Sequence, residues 1–558
     1  MPFKKTAFAL ACASALLSTS AFAANDKLTI GITQYPATLH PDIDSMVAKA
    51  YTKGFVNRET IGYDQNWELV CFYCEEVPSF ENGLAQIVDR PHAKEGESKQ
   101  GIKMRVSLKS DLYWGDGTPI TTKDMVFWHK VVTSPDVQGN PELTTLQQIE
   151  KLDVVDEHTL DVYVDRISFK YNADYIPHVL PSHIEESIFE NDPSKYHLNT
   201  KFVTEPTLAG LYSGPYIIEQ LKQGQFVKMT RNEHWKGKQP HFATVTLKTV
   251  SDTQALQANL LSGDVDYIPG ELGLTLDQAL QFEKKFGDRF NVDIRPASLY
   301  EHLDVQLNNP HLSEVKVRQA LLFGLDRKLI TDKLFDGKQQ VANSDTSPLD
   351  SIYTSETPTY DYNPEKAKQL LKEAGYELVN GVQMKDGEPL EIEFMTTAGN
   401  KTRELVQQFA QGQWKKIGIK AAINNQTARV YFGTTLTERK HKGLAMFAWS
   451  SSPENPPLTI LHSDYIPTKD NQWAGQNYAG YSNPEMDRVL EAIDSELNKE
   501  KRTELWKQFQ NLYATELPAL PLYYRSDSYI LPKWLVNVEP TGHQHYSSYW
   551  SENWSRAN

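Results

Sequence analysis

Strand-like and helix-like segments follow one another along nearly the whole of a 558-residue chain. That is more chain than one hydrophobic core usually covers, so two or three lobes are expected. Residues 28–32, 103–108, 159–164 and 244–250 alternate apolar and polar side chains with the period of a strand. Residues 152–155, 227–229, 266–268, 390–394 and 419–423 read as further strands. Helical periodicity runs through 252–261, 314–325, 364–374, 401–417, 484–497 and 501–517. The segment 364–374 has Pro364 in its first turn and Gly375 just past its end, the asymmetry expected of a helix. The turn Trp114-Gly115-Asp116-Gly117-Thr118-Pro119 leads into a helix over 123–129, capped by Thr121 or Thr122, with Asp124 near its positive end. Mixed strands and helices predict α/β lobes. No internal repeat and no low-complexity linker divides them, which predicts lobes interleaved in sequence.

The first residues bear on the compartment. Lys4 and Lys5 precede a short apolar stretch that ends in Ala21-Phe22-Ala23, a small-x-small exit. Residues 1–23 are therefore expected to be a cleaved export signal, which places the mature chain in the periplasm. The competing reading is a retained anchor, but the stretch is too short to span a bilayer as a mature helix. Cys12 raises a lipoprotein alternative, although the better exit lies downstream at Ala23. No later window offers a long charge-free apolar run, so the mature chain is expected to be soluble. Its 57 Lys and Arg against 72 Asp and Glu leave a net charge of −15. Loss of Lys4 and Lys5 makes it more negative still. Such a chain is repelled by nucleic acid and by anionic lipid, so neither is expected as a partner.

Beyond residue 23 the cysteines are Cys71 and Cys74, in Cys71-Phe72-Tyr73-Cys74. In an oxidising compartment two thiols this close favour a structural disulfide. The same spacing also suits a redox site or a metal. Against a redox site, the flanks do not give a strand feeding a helix at the first Cys, and the acidic neighbours Glu75 and Glu76 disfavour a thiolate.

Chemistry-bearing motifs are few. The chain has no His-Glu-x-x-His, no Gly-x-Ser-x-Gly elbow, no phosphate loop and no dinucleotide fingerprint. Ser313 and Lys316 fit Ser-x-x-Lys, but no Lys-Thr-Gly completes a penicillin-recognising site. His543-Gln544-His545 would point two imidazoles the same way on a strand, yet no third ligand declares itself. No catalytic residue, metal or cofactor is expected. The 27 Tyr and 11 Trp suit the walls of a ligand site, while packing accounts for most of them.

Several segments together resemble the family-5 extracellular solute-binding proteins, which include dipeptide, oligopeptide and nickel receptors. The first runs from Val106 to Lys109 and on through Trp114-Gly115-Asp116-Gly117-Thr118-Pro119-Ile120-Thr121-Thr122-Lys123-Asp124. Ser213-Gly214-Pro215-Tyr216, Arg231-Asn232-Glu233-His234-Trp235 and Gly263-Asp264-Val265-Asp266 follow. Val317-Arg318-Gln319-Ala320-Leu321 with Leu325-Asp326-Arg327, then residues 362–376, then Tyr481-Ser482-Asn483-Pro484-Glu485-Met486-Asp487 complete the set in the family's order. The resemblance implies a two-lobed periplasmic binding protein of the Venus-flytrap type, α/β, hinged between lobes that the chain crosses between twice. Lobe one would comprise 24–62, 203–285 and 505–558, with a subdomain at 63–202 inserted in it, and lobe two would span 286–504. A monomer would capture a small solute by hinge closure and deliver it to ABC transporter permease subunits at the inner membrane.

The resemblance also indicates a ligand site. Residues 444–456 are similar to the strand and loop that line the family's cleft, so Trp449, Ser450, Ser451 and Ser452 are expected to face ligand. In peptide-binding members an Asp shortly after the Trp pairs with the peptide's α-amino group, because a desolvated ammonium needs a carboxylate partner. Here the matching position is Ser452, and Glu454 is the nearest acid. Either Glu454 substitutes, or the ligand lacks a fixed amino terminus and the three serines hydrogen-bond a neutral polar solute. By analogy Thr33, Gln34 and Tyr35 face the same cleft. The loop that carries a carboxylate-binding Arg in some members corresponds to Ala398-Gly399-Asn400, with Lys401 and Arg403 following. A peptide or peptide-like solute is the first expectation. A sugar, an opine or a metal chelate is the second. A secreted hydrolase or a Cys-x-x-Cys redox protein is the reading from a different class.

Overall fold

Strand Lys27–Ile32 pairs in parallel with Thr244–Thr249, and Phe226–Arg231 and Tyr216–Lys222 extend the sheet antiparallel. The computed structural model describes residues 26–557 other than 44, 45, 95, 141, 428, 429, 472 and 474. The export segment 1–23, Cys12 included, lies outside the described residues. In this first sheet Leu28 faces Val245 and Ile30 faces Leu247, all four buried, while the alternate residues of Thr244–Thr249 are only partly covered. That is the period-two pattern of a sheet with one face on a core.

A second sheet, antiparallel, runs in the order Ala85–Asp89, Gln100–Ser107, Thr159–Val164, Ile149–Val154. Its Ile102, Met104, Val106, Leu160 and Val162 share one continuous core with the first sheet. Helix Thr122–Val132 packs on this core, and Thr121 and Asp124 close a capping box at its start. The preceding turn is held by Asp116, whose Oδ1 accepts the Thr118 N–H at 2.9 Å. Gly214 admits no side chain, because a Cβ there would lie 2.6 Å from the Val56 carbonyl carbon. Cys71 and Cys74 are joined by a disulfide at the edge of this lobe. Cys74 is fully buried.

The third sheet has six strands in the order Gln340–Val341, Ala519–Pro532, Phe290–Val305, Leu444–Ser450, Glu391–Met395, Lys420–Ile423. One core contains Leu303, Val305, Leu444 and Met446 packed with residues of helices Val315–Phe323, Pro364–Glu373 and Lys401–Lys416. Another joins Tyr300, Ala519 and Tyr524 to helices Pro484–Ser495 and Lys499–Glu516. Asn363 caps the helix that begins at Pro364, and Asn400 caps the one that begins at Lys401.

Two long strands tie the lobes together. Phe290–Val305 and Ala519–Pro532 pair antiparallel from Phe290↔Pro532 to Asp304↔Ala519. At one end Phe290 and Ile530 pack with Leu256, Leu260 and Ile268. At the other, Leu303, Val305, Leu520 and Leu522 belong to the core of the second lobe. The register shifts between Pro296 and Tyr300 and again between Glu301 and His302, which places bulges where the pair passes from one lobe to the other. Helix Lys499–Glu516 and the start of the strand after it therefore pack with the second lobe, since Trp506, Phe509 and Tyr513 lie in its core. The segment 266–268 forms no regular strand. It makes the single bridges Ile30↔Tyr267 and Ile268↔Ile530, which stitch the crossing to the first sheet.

Candidate functional site

An open cavity of about 380 Å³ lies between the lobes. Thr33, Gln34 and the loop 270–276 line it from the first lobe, and Ser298, Ser450 and Arg525 line it from the crossing strands and the third sheet. A second cavity of about 90 Å³ is sunk into the second lobe, with Tyr300, His302, Asp304, Trp449, Trp506 and Tyr513 in its wall. Ser450, at the end of strand Leu444–Ser450, borders both.

Strand register explains this arrangement. Tyr300, His302 and Asp304 alternate along one strand and so share a face of the sheet. Opposite them on the neighbouring strand stand Trp449, Phe447 and Ala445. Trp449 stacks on Tyr478 at 6.1 Å between centroids, with Phe447 edge-on at 5.2 Å. The Trp449 indole N–H is buried and has no acceptor among the described residues. Ser451 latches the strand end down, with its N–H donating to the Ser298 carbonyl at 3.1 Å and its hydroxyl 2.7 Å from that of Ser298. Ser452 lines the inner cavity.

The other expected contacts are placed differently. The Thr33 N–H and hydroxyl both donate to the Leu272 carbonyl at 2.8 Å, so Thr33 fixes the cleft wall. The Tyr35 ring packs against the core of the first lobe. Asn400 accepts the Arg403 N–H at 3.1 Å as a helix cap and borders a small separate cavity with Glu301, Arg403 and Arg525. Glu454 sits in left-handed backbone at φ +49° and lines a further cavity shared with Tyr63, Trp67, Lys170 and Arg502. Its carboxylate accepts the Ser351 hydroxyl at 2.8 Å and faces Arg502 at 3.8 Å. Both oxygens of Glu454 thus face protein partners. His543 and His545 lie outside any strand. The His543 Nε2 is 2.8 Å from the Asp64 carbonyl and the His545 Nε2 is 2.9 Å from Glu59, so their ring nitrogens are engaged by the protein.

Glu301, Arg525, Asp304, Asp345 and Glu271 escaped the sequence reading, and Arg403 was named there without its partner. Arg403 donates to the buried Glu301 at 2.6 Å, and Arg525 stands 3.9 Å from the same carboxylate. Burial alone would raise the Glu301 carboxyl, but Arg403 and Arg525 outweigh it and hold it below the usual range. Arg403 is thereby occupied, and Arg525 is the partly exposed cation that borders the interlobe cavity. Asp304 and Asp345, both in the wall of the inner cavity, are pushed up to about 7 by burial. Burial, then the charge of Asp527, lifts Glu271 in the cleft to about 7 as well. The signal for Asp304 was Tyr300-Glu301-His302-Leu303-Asp304, with polar residues on both faces of a strand. Among the described residues no group of three or more His, Cys, Asp or Glu side chains is placed to hold a metal ion.

The profile of bacterial extracellular solute-binding proteins, family 5 Middle, matches residues 90–472. The oligopeptide-binding protein AppA of Bacillus subtilis is 28% identical over 449 residues, covering 78% of this chain and 77% of that protein. The oligopeptide-binding protein of Thermus thermophilus, solved with a pentapeptide, superposes with a TM-score of 0.75 at 26% identity, covering 96% of each chain. NikZ from Campylobacter jejuni, solved with Ni(L-His), shares the fold at a TM-score of 0.76 and 20% identity, covering 95% of this chain and all of its own.

Proposed function

The chain belongs to the bacterial extracellular solute-binding proteins of family 5, and from that premise we propose that it captures a peptide or peptide-like solute in the interlobe cleft and hands it to the permease subunits of an ABC importer. The observation that carries this reading is the cleft itself. Both lobes contribute walls, and the paired strands Phe290–Val305 and Ala519–Pro532 cross behind them with bulges at the passage. Hinge closure about two such crossings encloses a ligand and creates the surface that permeases read. Trp449, Ser450 and Ser452 are its ligand contacts in the second lobe, and Thr33 and Gln34 form the opposing wall.

The peptide reading draws support from the B. subtilis and T. thermophilus relatives, whose names and bound ligand are oligopeptides. It also draws on the charges at hand, Arg525 for an anionic end and Glu271 with Asp527 in the same cavity. A polar solute of another class, such as a metal chelate, is the second reading, because Ser452 stands where peptide-binding members carry their Asp. Residues 1–23 export the chain to the periplasm. No helix among the described residues is long and apolar enough to cross a membrane. The second lobe runs from within Phe290–Val305 to within Ala519–Pro532, with 63–202 inserted in the first.

Ligand-dependent thermal stabilisation without turnover tests the function. Peptides should raise the Tm and be recovered intact. A peptide library that gives no shift, beside a sugar or chelate that does, would overturn the peptide reading.

A further inference from the structure

We propose that the cavity sunk into the second lobe is a subsite for a cationic group of the ligand, a primary ammonium or a guanidinium seated against Asp304 and Asp345 with its carbon stem between Tyr300, Trp449 and Trp506. The proposal rests on the receptor reading of the cleft and names what that receptor selects.

The space comes from the register. Asp304 is opposite Ala445 on one neighbouring strand and Ala519 on the other. Ala519 lines the cavity, and its methyl group, where a larger side chain would fill the layer, leaves a hollow of about 90 Å³ with a carboxylate in its wall. The aromatic walls suit an alkyl stem with a charged head, since a ring face attracts a cation and covers methylenes.

Charge then decides the occupant. Asp304 is only 5% exposed and makes no ion pair among the described residues. Asp345 accepts one hydroxyl, from Thr346 at 3.2 Å. Asp304, Asp345 and Tyr513 all line this one cavity. The third acid, Asp350, is committed elsewhere, accepting the N–H groups of Ile352 at 3.3 Å and Glu454 at 2.8 Å. Arg439, the cation that acts on Asp304, is turned to the carbonyl of Tyr478 at 3.1 Å. A carboxyl held this far from water is kept from ionising unless a cation reaches it, and a cation that does so gains a carboxylate partner. An apolar occupant would gain nothing from the carboxyls. Among the described residues the acids here are not part of a group of three or more placed for chelation.

A second observation points to the same occupant. Trp506 is 1% exposed and lines the cavity, and its indole N–H has no acceptor among the described residues. The Trp449 N–H in the same wall also lacks one. Two unspent donors beside two unpaired carboxylates describe a polar ligand segment, with an acceptor near its cationic end.

The test is calorimetric titration of protein unfolded and refolded to strip any carried ligand. The probes are Ala-Lys-Ala, Ala-norleucine-Ala, their N-acetylated forms, and n-butylamine. Lysine should outrank norleucine by about tenfold or more in both the free and the acetylated series if a side chain fills the subsite. If the α-amino group fills it, acetylation should weaken both peptides and the two side chains should rank alike. Either preference should vanish in Asp304→Asn, and in Asp345→Asn as the second variant. Lysine and norleucine peptides that bind alike with no effect of acetylation or of either substitution would overturn the subsite and leave the peptide receptor standing. Butylamine that binds through Asp304 while no peptide does would overturn the peptide reading and keep the subsite. No binding by any probe would overturn both.

Discussion

Tyr300 on a crossing strand and Tyr513 on the last long helix of the second lobe share a hydrogen bond of 2.7 Å between their hydroxyls. Both rings are buried, and each hydroxyl has the other as its hydrogen-bond partner. Losing one partner leaves the other unsatisfied, which costs about 1–3 kcal/mol. Tyr513→Phe should therefore lower stability by that amount in urea unfolding, and Tyr300→Phe likewise. The double variant should cost less than the two singles together, because the second change removes the stranded hydroxyl. Strictly additive losses would show that the two hydroxyls are not coupled.

Asp304 predicts an unusual dependence on pH. Burial raises its carboxyl from 3.8 to about 7 in the folded chain, so folding favours the protonated acid. An acid raised in this way stabilises the fold fully below its unfolded value, and that contribution is lost as pH rises through the folded value. The window is about pH 4 to 7. Asp304→Asn is neutral throughout, so its Tm should exceed the parent's by several degrees at pH 8 and converge with it near pH 4. His40 and His302, pulled down to about 4 by burial, lose stability as pH falls toward that value, but they are common to both proteins and largely cancel in the difference. Differential scanning calorimetry across this range settles it. A constant difference, or a lower Tm for the variant at pH 8, contradicts the burial of an ionisable Asp304.

How much of this was legible depends on where the determining contacts lie. Helix Pro364–Glu373 was readable because its start, its stop and its apolar face, Ala367, Leu370 and Leu371, are all local. Strand Thr244–Thr249 was readable from its alternation. Strand Phe290–Val305 was not. It carries Asp293, Arg295, Pro296, Glu301, His302 and Asp304, a pattern that reads as loop. Its extended form is imposed by pairing with Ala519–Pro532, far along the chain. Asp304 is hidden for the same reason. A lone carboxylate on a strand reads as solvent-facing until the helix carrying Trp506 and Tyr513 covers it. Trp449 to Ser452 were placed by resemblance, and their packing against Tyr478 and Ser298 comes from tertiary structure. Asn400 was placed at the cleft by resemblance, and its capping of the helix that begins at Lys401 emerges only from the structure.

The disulfide makes a separate prediction. Cys71 and Cys74 close a short loop, and loop-closure entropy for a ring that size gives about 2 kcal/mol. The Tyr73 hydroxyl inside that loop donates to the Ser213 carbonyl at 2.8 Å, which anchors the loop independently. Cys71→Ser with Cys74→Ser should lower the Tm by a few degrees and leave ligand affinity unchanged. An insulin-reduction assay should show no activity to lose. Measurable disulfide exchange in the parent, abolished in the variant, would revive the redox alternative.

Trp449, Asn400 and Glu454 separate residues that hold ligand from residues that hold the chain. Trp449 borders the inner cavity with an unspent N–H, so Trp449→Ala removes a wall and a donor together. Its affinity for whichever solute stabilises the parent should fall at least about tenfold. Asn400 spends its side chain on the Arg403 N–H, so Asn400→Ala should cost about 1 kcal/mol of stability and leave affinity nearly intact. Glu454 faces Ser351 and Arg502 rather than the inner cavity. Glu454→Gln removes a partly exposed pair with a wide separation, worth no more than about 1 kcal/mol, and should also leave affinity unchanged. Titration calorimetry on the three variants reads all of this at once. If Glu454→Gln abolishes binding while Trp449→Ala spares it, the ligand's charged end lies in the space lined by Tyr63, Lys170 and Glu454, and the second-lobe cavity is not where the solute is recognised.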